Sequence, residues 1–267
     1  MLPAVGNSIG DASLNAPGSV TTLHRSRAPD GGTQPGRDPV GARVRLCLLD
    51  GFELRADGRA VSLPVSAQRV LAFLALQERP MLRTFVAGSL YLDKSEERAA
   101  ANLRTVLWRL RQPGIPLVTA TANHLGLAPT VAVDLHEAFA RARRVLGGSS
   151  EEATDTLLLR GDLLPDWYDD WVITDRERLR QVRLHALDAL CSSLVMLGAY
   201  ARAIEVGMAS IAAEPLRESA HRAVIGVHLA EGNRSEALRQ YAVYVSLLRE
   251  SLALEPSDQL KDLVGVT

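Results

Sequence analysis

The chain has 267 residues, of which 23% are charged, and its formal net charge is −1. This length is enough to bury the cores of two modest domains. No apolar run approaches the ~18 residues that span a bilayer, and the start lacks the basic and then apolar pattern of a secretory signal. We therefore expect a cytoplasmic protein without a membrane partner. Cys47 and Cys191 do not have the spacing of a metal or redox motif.

The charge is distributed unevenly along the chain. Residues 43–134 carry 12 Arg or Lys against 8 Asp or Glu, net +4, whereas residues 135–267 carry 15 against 20, net −5. A basic half joined to an acidic half suggests that the first meets a polyanion and the second does not. Many enzymes with two domains would show a difference of this size, so the motifs must decide.

Residues 1–42 are rich in Gly, Pro, Ser, Ala and Thr and have neither helical nor strand periodicity. Such a composition predicts a disordered tail. A start codon assigned too far upstream would give the same kind of sequence, so we assign this tail no function.

Three strand-like runs follow the tail, and Asp-Gly pairs separate them. Asp-Gly between β-type runs is a strong hairpin signal, so the runs predict a small antiparallel sheet. The runs are Val44 to Leu49, Phe52 to Arg55 and Ala60 to Leu63, with turns at Asp50-Gly51 and Asp57-Gly58.

Two helical segments come next. Ser66 has the side chain of an N-cap, and the apolar spacing behind it predicts a helix through about Gln77. A second and shorter helix is predicted from about Arg83 to Tyr91. The apolar sides of both helices belong to one core.

A third helix is predicted from Ser95 to Arg111. Ser95 is a suitable N-cap, and Pro113-Gly114 would stop the helix. The helix has an apolar stripe at spacings of three and four residues, which predicts one buried face. This stripe comprises Ala99, Leu103, Val106, Leu107 and Leu110.

The opposite face of the third helix is polar. It comprises Arg98, Ala101, Asn102, Thr105, Arg109 and Gln112. Arg and Asn can form paired hydrogen bonds with guanine and adenine edges, and Thr can contact a thymine methyl group. A solvent-exposed helix with scattered Arg would look the same in isolation, so the flanking segments must separate the two interpretations.

A β-hairpin is predicted after the third helix. Leu117 to Thr121 and His124 to Leu127 are its strands, and Asn123 lies at the corner. A sheet, three helices and a hairpin make an α+β winged helix-turn-helix, in which the third helix enters the major groove and the hairpin lies along the phosphates. The candidate DNA contacts are Arg98, Asn102, Arg104, Thr105 and Arg109 on the third helix, Ser66 and an exposed Arg69 on the first, Arg83 on the second, and Asn123 and His124 in the hairpin.

The rest of the chain is predicted to be helical, starting with helices at Leu135 to Leu146 and Glu151 to Leu159. The stretch Gly198 to Ile204 returns as Gly232 to Leu238, an offset of 34 residues, which is the tetratricopeptide period. We therefore expect an all-α, tetratricopeptide-like repeat domain with a concave protein-binding surface.

Enzyme motifs are missing from the sequence. It has no Gly-rich phosphate loop, no Gly-x-Ser-x-Gly elbow and no His-Glu-x-x-His, and its six histidines are scattered. We expect neither catalysis nor a cofactor nor a metal site.

These motifs together resemble the Streptomyces antibiotic regulatory protein family over about residues 43–258. The residues that carry the resemblance are Leu49-Asp50-Gly51-Phe52-Glu53-Leu54, Ala67-Gln68-Arg69, and the run from Glu96 to Arg111 that contains Asn102-Leu103-Arg104-Thr105 and Leu107-Trp108-Arg109-Leu110-Arg111. Where the family has Leu-Trp-Pro-Asp before the third helix, this chain has Leu90-Tyr91-Leu92-Asp93. This departure concerns the rigidity of the turn and not the fold.

The resemblance implies an OmpR-like winged helix at residues 43–133 and a bacterial transcriptional activator domain at residues 134–267. It implies an activator of secondary-metabolite genes that binds direct repeats in double-stranded DNA as a homodimer. Its further partner would be RNA polymerase holoenzyme, through the sigma factor and core subunits, which would make the protein nucleoid-associated. It also favours packing of Trp167 and Trp171 between helices over contact of this acidic, aromatic segment with polymerase.

A second hypothesis is a repeat scaffold whose winged helix mediates protein–protein contacts. A scaffold has no need for Arg98, Asn102 and Arg109 on the outward face of the third helix together with a basic Arg69, which favours DNA binding. If each half has its own complete core, fragment 1–133 should fold alone and bind DNA, although more weakly than the whole chain.

Overall fold

The structure, a computed structural model, describes residues 44–112, 114–148 and 161–266. The tail 1–42 and the helix predicted from Glu151 to Leu159 lie outside the described residues. In the described part, a small α+β winged helix-turn-helix is followed by a helical, tetratricopeptide-like repeat. The predicted fold class is therefore confirmed.

The first part of the chain alternates short strands and helices. Its elements are β1 (Val44–Cys47), β2 (Glu53–Ala56), β3 (Arg59–Ala60), α1 (Val65–Leu76), β4 (Met81–Leu82), α2 (Arg83–Leu90), α3 (Glu96–Arg109), β5 (Val118–Ala120), β6 (His124–Leu127) and β7 (Val131–Val133). The second part is helical. Its elements are α4 (Asp134–Leu146), α5 (Asp170–Met196), α6 (Tyr200–Ala213), α7 (Glu218–Ala230), α8 (Arg234–Leu252) and α9 (Asp258–Val264).

The first sheet has the strand order β3-β2-β1-β7. Asp57 and Gly58 form the two-residue link between β2 and β3, with φ angles of 49° and 78°. Positive φ at both positions suits the tight turn whose twist matches a hairpin, as the Asp-Gly pair predicts. Strand β7 was not predicted, and it pairs in parallel with β1, so that Val44 lies opposite Val131.

The second sheet contains the predicted hairpin, formed by β5 and β6. It also contains β4, which the sequence did not predict and which pairs with β6 so that Met81 lies opposite Leu125. Because α2 begins directly after β4, this pairing fixes the start of α2 against the hairpin.

The core of the winged helix extends beyond residue 133. The buried residues that pack in it include four from the segment before α5 and from α5 itself, namely Leu163, Leu164, Val172 and Leu179. In addition, the buried carboxylate of Asp134 accepts hydrogen bonds from the backbone N–H groups of Leu48, at 2.9 Å, and Leu49, at 3.1 Å. The expectation that residues 43–133 hold a complete core is therefore wrong, while the domain boundary itself stays a prediction.

Aromatic rings join α1 to the start of α5. Trp171 meets Phe73 edge to face, with ring centroids 5.3 Å apart, and Trp167 stacks on Phe52 at 6.0 Å. The two tryptophans also meet each other at 6.2 Å. Trp171 of α5 thus packs against Phe73 of α1, as the predicted packing between helices requires, whereas Trp167 packs on Phe52, which belongs to no helix.

The repeat region follows the 34-residue pattern. Gly198 and Gly232 lie in equivalent links before α6 and α8 and have φ angles of 70° and 83°. Ala203 and Ala237, one in each repeat, are fully buried. Small side chains at these positions allow neighbouring helices to approach closely, as the repeat predicts.

His221 is a buried histidine of α7 with partners for both ring nitrogens. Its Nε2 donates to the Pro215 carbonyl at 2.9 Å, its Nδ1 lies 3.0 Å from Nε2 of Gln240, and its ring packs on Tyr244 with centroids 4.3 Å apart. A carbonyl can only accept, so Nε2 carries the proton of the neutral ring and Nδ1 accepts from Gln240. Burial lowers the pKa of His221 from its ordinary value of 6.5.

We expect the repeat region to lose stability in mild acid because of His221. Because its folded pKa lies below the unfolded value, the unfolded chain takes up a proton first as the pH falls. Its contribution is complete above the unfolded pKa of 6.5 and is lost as the pH falls toward the folded value. The free energy of unfolding, measured in urea at about pH 7.5 and about pH 5.5, should fall more for the wild type than for His221→Gln. His124→Gln, at an exposed position, is the control and should behave like the wild type. Equal falls in all three proteins would contradict this prediction.

Candidate nucleic-acid interface

Helix α3 has the two faces that the sequence predicts. Ala99, Leu103, Val106 and Leu110 are buried, with 2% to 4% of their surface exposed, and Leu107 is half-buried. All of the predicted contact residues on this helix are exposed. They are Arg98, Asn102, Arg104, Thr105 and Arg109. The Thr105 hydroxyl donates to the Ala101 carbonyl at 3.1 Å.

The start of α3 differs in one detail from the prediction. Ser95 occupies the N-cap position, but its side chain makes no capping hydrogen bond. Glu96 and Glu97 follow in the first turn, where the positive end of the helix dipole stabilises carboxylates. The helix ends at Arg109, two residues earlier than predicted.

The wing is fixed to the start of α2 by Arg83. The backbone N–H of Arg83 donates to the Asn123 carbonyl at 2.9 Å, and its Nε donates to the Thr121 carbonyl at 3.1 Å. The side chains of Asn123 and His124 are exposed at the tip. The structure thus brings Arg83, Asn123 and His124 together, and half-buried Arg83 positions the wing.

Arg104 lies on the side of α3 that faces the wing. Arg83 and Arg104 both line two neighbouring hollows, of about 460 Å³ and about 610 Å³. The first lies between the end of α3 and β5, and the second lies between α2, α3 and Ala122 of the wing. Two cations therefore flank the gap between the third helix and the wing.

Two of the predicted contacts on α1 need correction. Pro64 and not Ser66 occupies the N-cap position, and Ser66 lies half-buried in the first turn. Arg69 is not the exposed cation that the sequence predicted, because its guanidinium forms an ion pair with the carboxylate of Asp169 at the start of α5. A DNA contact by Arg69 would require this ion pair to break, so we leave Arg69 out of the interface.

Trp108 is an outward residue that the sequence reading did not single out. Its side chain is 73% exposed, although it belongs to a helix with a buried apolar stripe. At ~100° per residue it lies opposite that stripe, so helical periodicity alone could have found it. Because tryptophan is a large apolar residue that is mostly buried on average, its type alone does not predict an exposed position.

Within residues 44–112, 114–148 and 161–266, no group of three or more His, Cys, Asp or Glu side chains could hold a metal ion. Over the same residues, none of the helices combines the length and apolar character needed to cross a membrane.

The sequence and structure of the chain are similar to those of known regulators. It is 29% identical over 249 residues to Regulatory protein AfsR of Streptomyces coelicolor, which covers 86% of this chain and 24% of AfsR. The chain thus spans about a quarter of that relative. The structure of Mycobacterium tuberculosis EmbR in complex with a low affinity phosphopeptide matches with a TM-score of 0.64 and 23% identity, over 84% of this chain and 64% of that one. At this identity the match shows the fold.

The family assignment comes from the second part of the chain. The sequence profile of the Bacterial transcriptional activator domain family matches residues 131–265, which is just over half of the 267 residues. The chain therefore belongs to the bacterial transcriptional activator domain family, and its resemblance to the Streptomyces antibiotic regulatory proteins is confirmed.

Proposed function

We propose that the protein is a sequence-specific DNA-binding transcriptional activator. The observation that carries this proposal is the exposed face of α3, where Arg98, Asn102, Thr105 and Arg109 lie together. The helix has 14 residues and is therefore about 21 Å long. Its carboxylates are confined to the first turn, so the rest of the face suits the negative charge of a major groove.

The wing side of α3 supplies the proposed phosphate contacts. Arg104 and Arg83 flank the gap beside the wing, and Asn123 and His124 lie exposed at its tip. Such side chains hold DNA in register without reading its sequence. We assign Arg98, Asn102, Thr105 and Arg109 to base edges and the wing side to the backbone.

The proposal divides the work between the predicted domains, residues 43–133 and 134–267. The winged helix binds DNA, and the acidic repeat domain contacts a second protomer and RNA polymerase holoenzyme, through the sigma factor and core subunits. Two protomers would bind direct repeats near promoters of a secondary-metabolite cluster, such as one for an antibiotic, in the nucleoid. The family assignment and the charge of −5 over residues 135–267 support this division.

A second candidate function is a protein-binding scaffold. A hollow of about 520 Å³ between α5 and α7 favours it, because apolar, polar and charged side chains, among them Cys191, Met196 and Arg222, line it. This candidate differs from the first in requiring no DNA.

Alanine at Arg98 or Asn102 should each cost ~1–3 kcal/mol of binding free energy on the specific site and much less on random DNA. The reason is that a paired hydrogen bond to a base edge is lost only where the matching base is present. The site would come from immunoprecipitation of the protein with its genomic DNA, and affinity would be measured by fluorescence anisotropy.

The controls for this experiment distinguish its possible failures. Arg239→Ala removes a cation of α8, far along the chain, and should leave affinity unchanged. Equal losses on specific and random DNA would assign Arg98 and Asn102 to phosphates. A salt titration of the wild type should give a steep fall of log K with log salt, as several phosphate contacts require. No DNA binding at any salt concentration would favour the scaffold.

A further inference from the structure

Trp108 is exposed without a structural reason in the described part of the chain. Trp167 and Trp171 pack against other aromatic rings, whereas no ring contact involves Trp108 among residues 44–112, 114–148 and 161–266. The core stripe of α3 lies on the other side of the helix. Its 73% exposed indole is therefore available to a ligand at little cost to the fold.

The neighbours of Trp108 indicate what kind of ligand it meets. The residues three and four positions away on α3 and just beyond are Arg104, Thr105, Arg111 and Gln112. Two are cations and two can form hydrogen bonds, and no carboxylate of the described residues pairs with Arg104 or Arg111. The core of a protein interface is depleted of charge, whereas a cationic rim around one apolar group suits a polyanion.

The position of Trp108 on α3 determines which part of the DNA its side chain would contact. Trp108 lies nearly opposite the buried stripe, so it points away from the core and into the groove that α3 would occupy, and Thr105 lies beside it on the same face. Ala101 lies seven residues earlier on nearly the same line, and its small side chain lets the helix sit deep. The carboxylates Glu96 and Glu97 are about 16 Å or more away along the axis.

We propose that Trp108 contacts the 5-methyl group of a thymine and thereby determines part of the sequence specificity. This methyl group is the apolar feature of the major-groove floor, and an indole is the largest apolar surface that a side chain can offer it. The proposal rests on the proposed function, since it requires α3 to lie in the major groove. The indole of Trp108 has two other conceivable contacts, a phosphate that accepts from its N–H and an apolar patch of a partner protein. The test below distinguishes both from a thymine methyl group.

The test removes the methyl group from the DNA and the indole from the protein. Each thymine of the bound genomic site is replaced in turn by deoxyuridine, which lacks only the 5-methyl group. The wild type should lose about fourfold in affinity at one or two positions, the effect of exposing one methyl group. Trp108→Ala should bind the unmodified site about tenfold more weakly and lose nothing further at those positions. Trp108→Phe should keep the dependence on the methyl group.

The possible failures are distinguishable. The inference would be overturned if Trp108→Ala bound the site as tightly as the wild type does. It would also be overturned if this variant still lost affinity when deoxyuridine replaces thymine. If Trp108→Ala lost equal affinity for specific and random DNA, the indole would contact a phosphate. If it bound DNA normally but no longer activated transcription, the indole would contact a protein. Either result would overturn the inference. A wild type that binds no DNA would instead overturn the proposed function. Thermal unfolding of Trp108→Ala should match the wild type and thereby exclude misfolding, because the side chain is exposed.

Discussion

Replacing Trp171 by alanine should lower the free energy of unfolding by about 3–5 kcal/mol. Trp171 lies at the start of α5, between Phe73 of α1 and Trp167, and its removal leaves a cavity between the winged helix and α5. Phenylalanine at this position should cost less than about 1.5 kcal/mol, since it keeps a ring in the cluster. The indole Nε1 of Trp171 is buried and has no hydrogen-bond partner in the described residues, so phenylalanine also removes an unsatisfied donor.

The matched control for this prediction is alanine at exposed Trp108, which should change stability by less than about 0.5 kcal/mol. Urea unfolding of the three variants and the wild type measures all of these differences. Similar costs for Trp171→Ala and Trp108→Ala would show that the aromatic cluster does not hold α1 to α5. A large cost for Trp171→Phe would show that the indole N–H has a partner.

The aromatic cluster is reinforced by polar contacts. The guanidinium of Arg176 on α5 donates to the carbonyls of Leu163, at 2.9 Å, and Trp167, at 3.0 Å, so it holds the segment that leads into the helix. The ion pair of Arg69 with Asp169 lies beside it. The charge of Arg69, which the sequence predicted to contact DNA, thus links α1 of the winged helix to the start of α5.

Features set by local sequence were predictable. The two faces of α3 follow from the spacing of its apolar residues, and the hairpins β1–β2 and β2–β3 follow from their Asp-Gly turns. Strands β4 and β7 have only two and three residues, and β7 pairs with β1, more than 80 residues earlier. Such short segments carry no periodicity, and their partners are not local, so the sequence did not predict them.

The errors at the candidate site have the same origin. The local sequence around Arg69 does not predict its partner Asp169, because Asp169 lies 100 residues later in the chain. Ser66 resembles an N-cap, yet the helix begins two residues earlier than this cap would place it, because Pro64, with its fixed φ, precedes the first turn. Exposure of Arg98, Asn102 and Arg109 was predictable because it depends only on helical periodicity.

The incomplete core of residues 43–133 leads to the largest expected effect. A fragment that ends at residue 133 lacks Leu163, Leu164, Val172 and Leu179, which are 0% to 4% exposed in the whole chain. Burial of each such side chain contributes ~1.5–3 kcal/mol, so their joint loss is about 6–12 kcal/mol. The whole stability of a typical domain is only about 5–15 kcal/mol.

Fragment 1–133 should therefore fail to fold on its own, whereas fragment 1–183 should fold, because it keeps these four side chains together with Asp134 and Arg176. Circular dichroism should show a cooperative thermal transition for the longer fragment and none for the shorter. The longer fragment should bind a single DNA site. It should lack the extra affinity that two joined protomers have for a direct repeat in DNA, since most of its helical repeat domain is missing. Cooperative unfolding of fragment 1–133, with the DNA affinity of fragment 1–183, would show that the winged helix is independent and that its packing on α5 serves assembly and not folding.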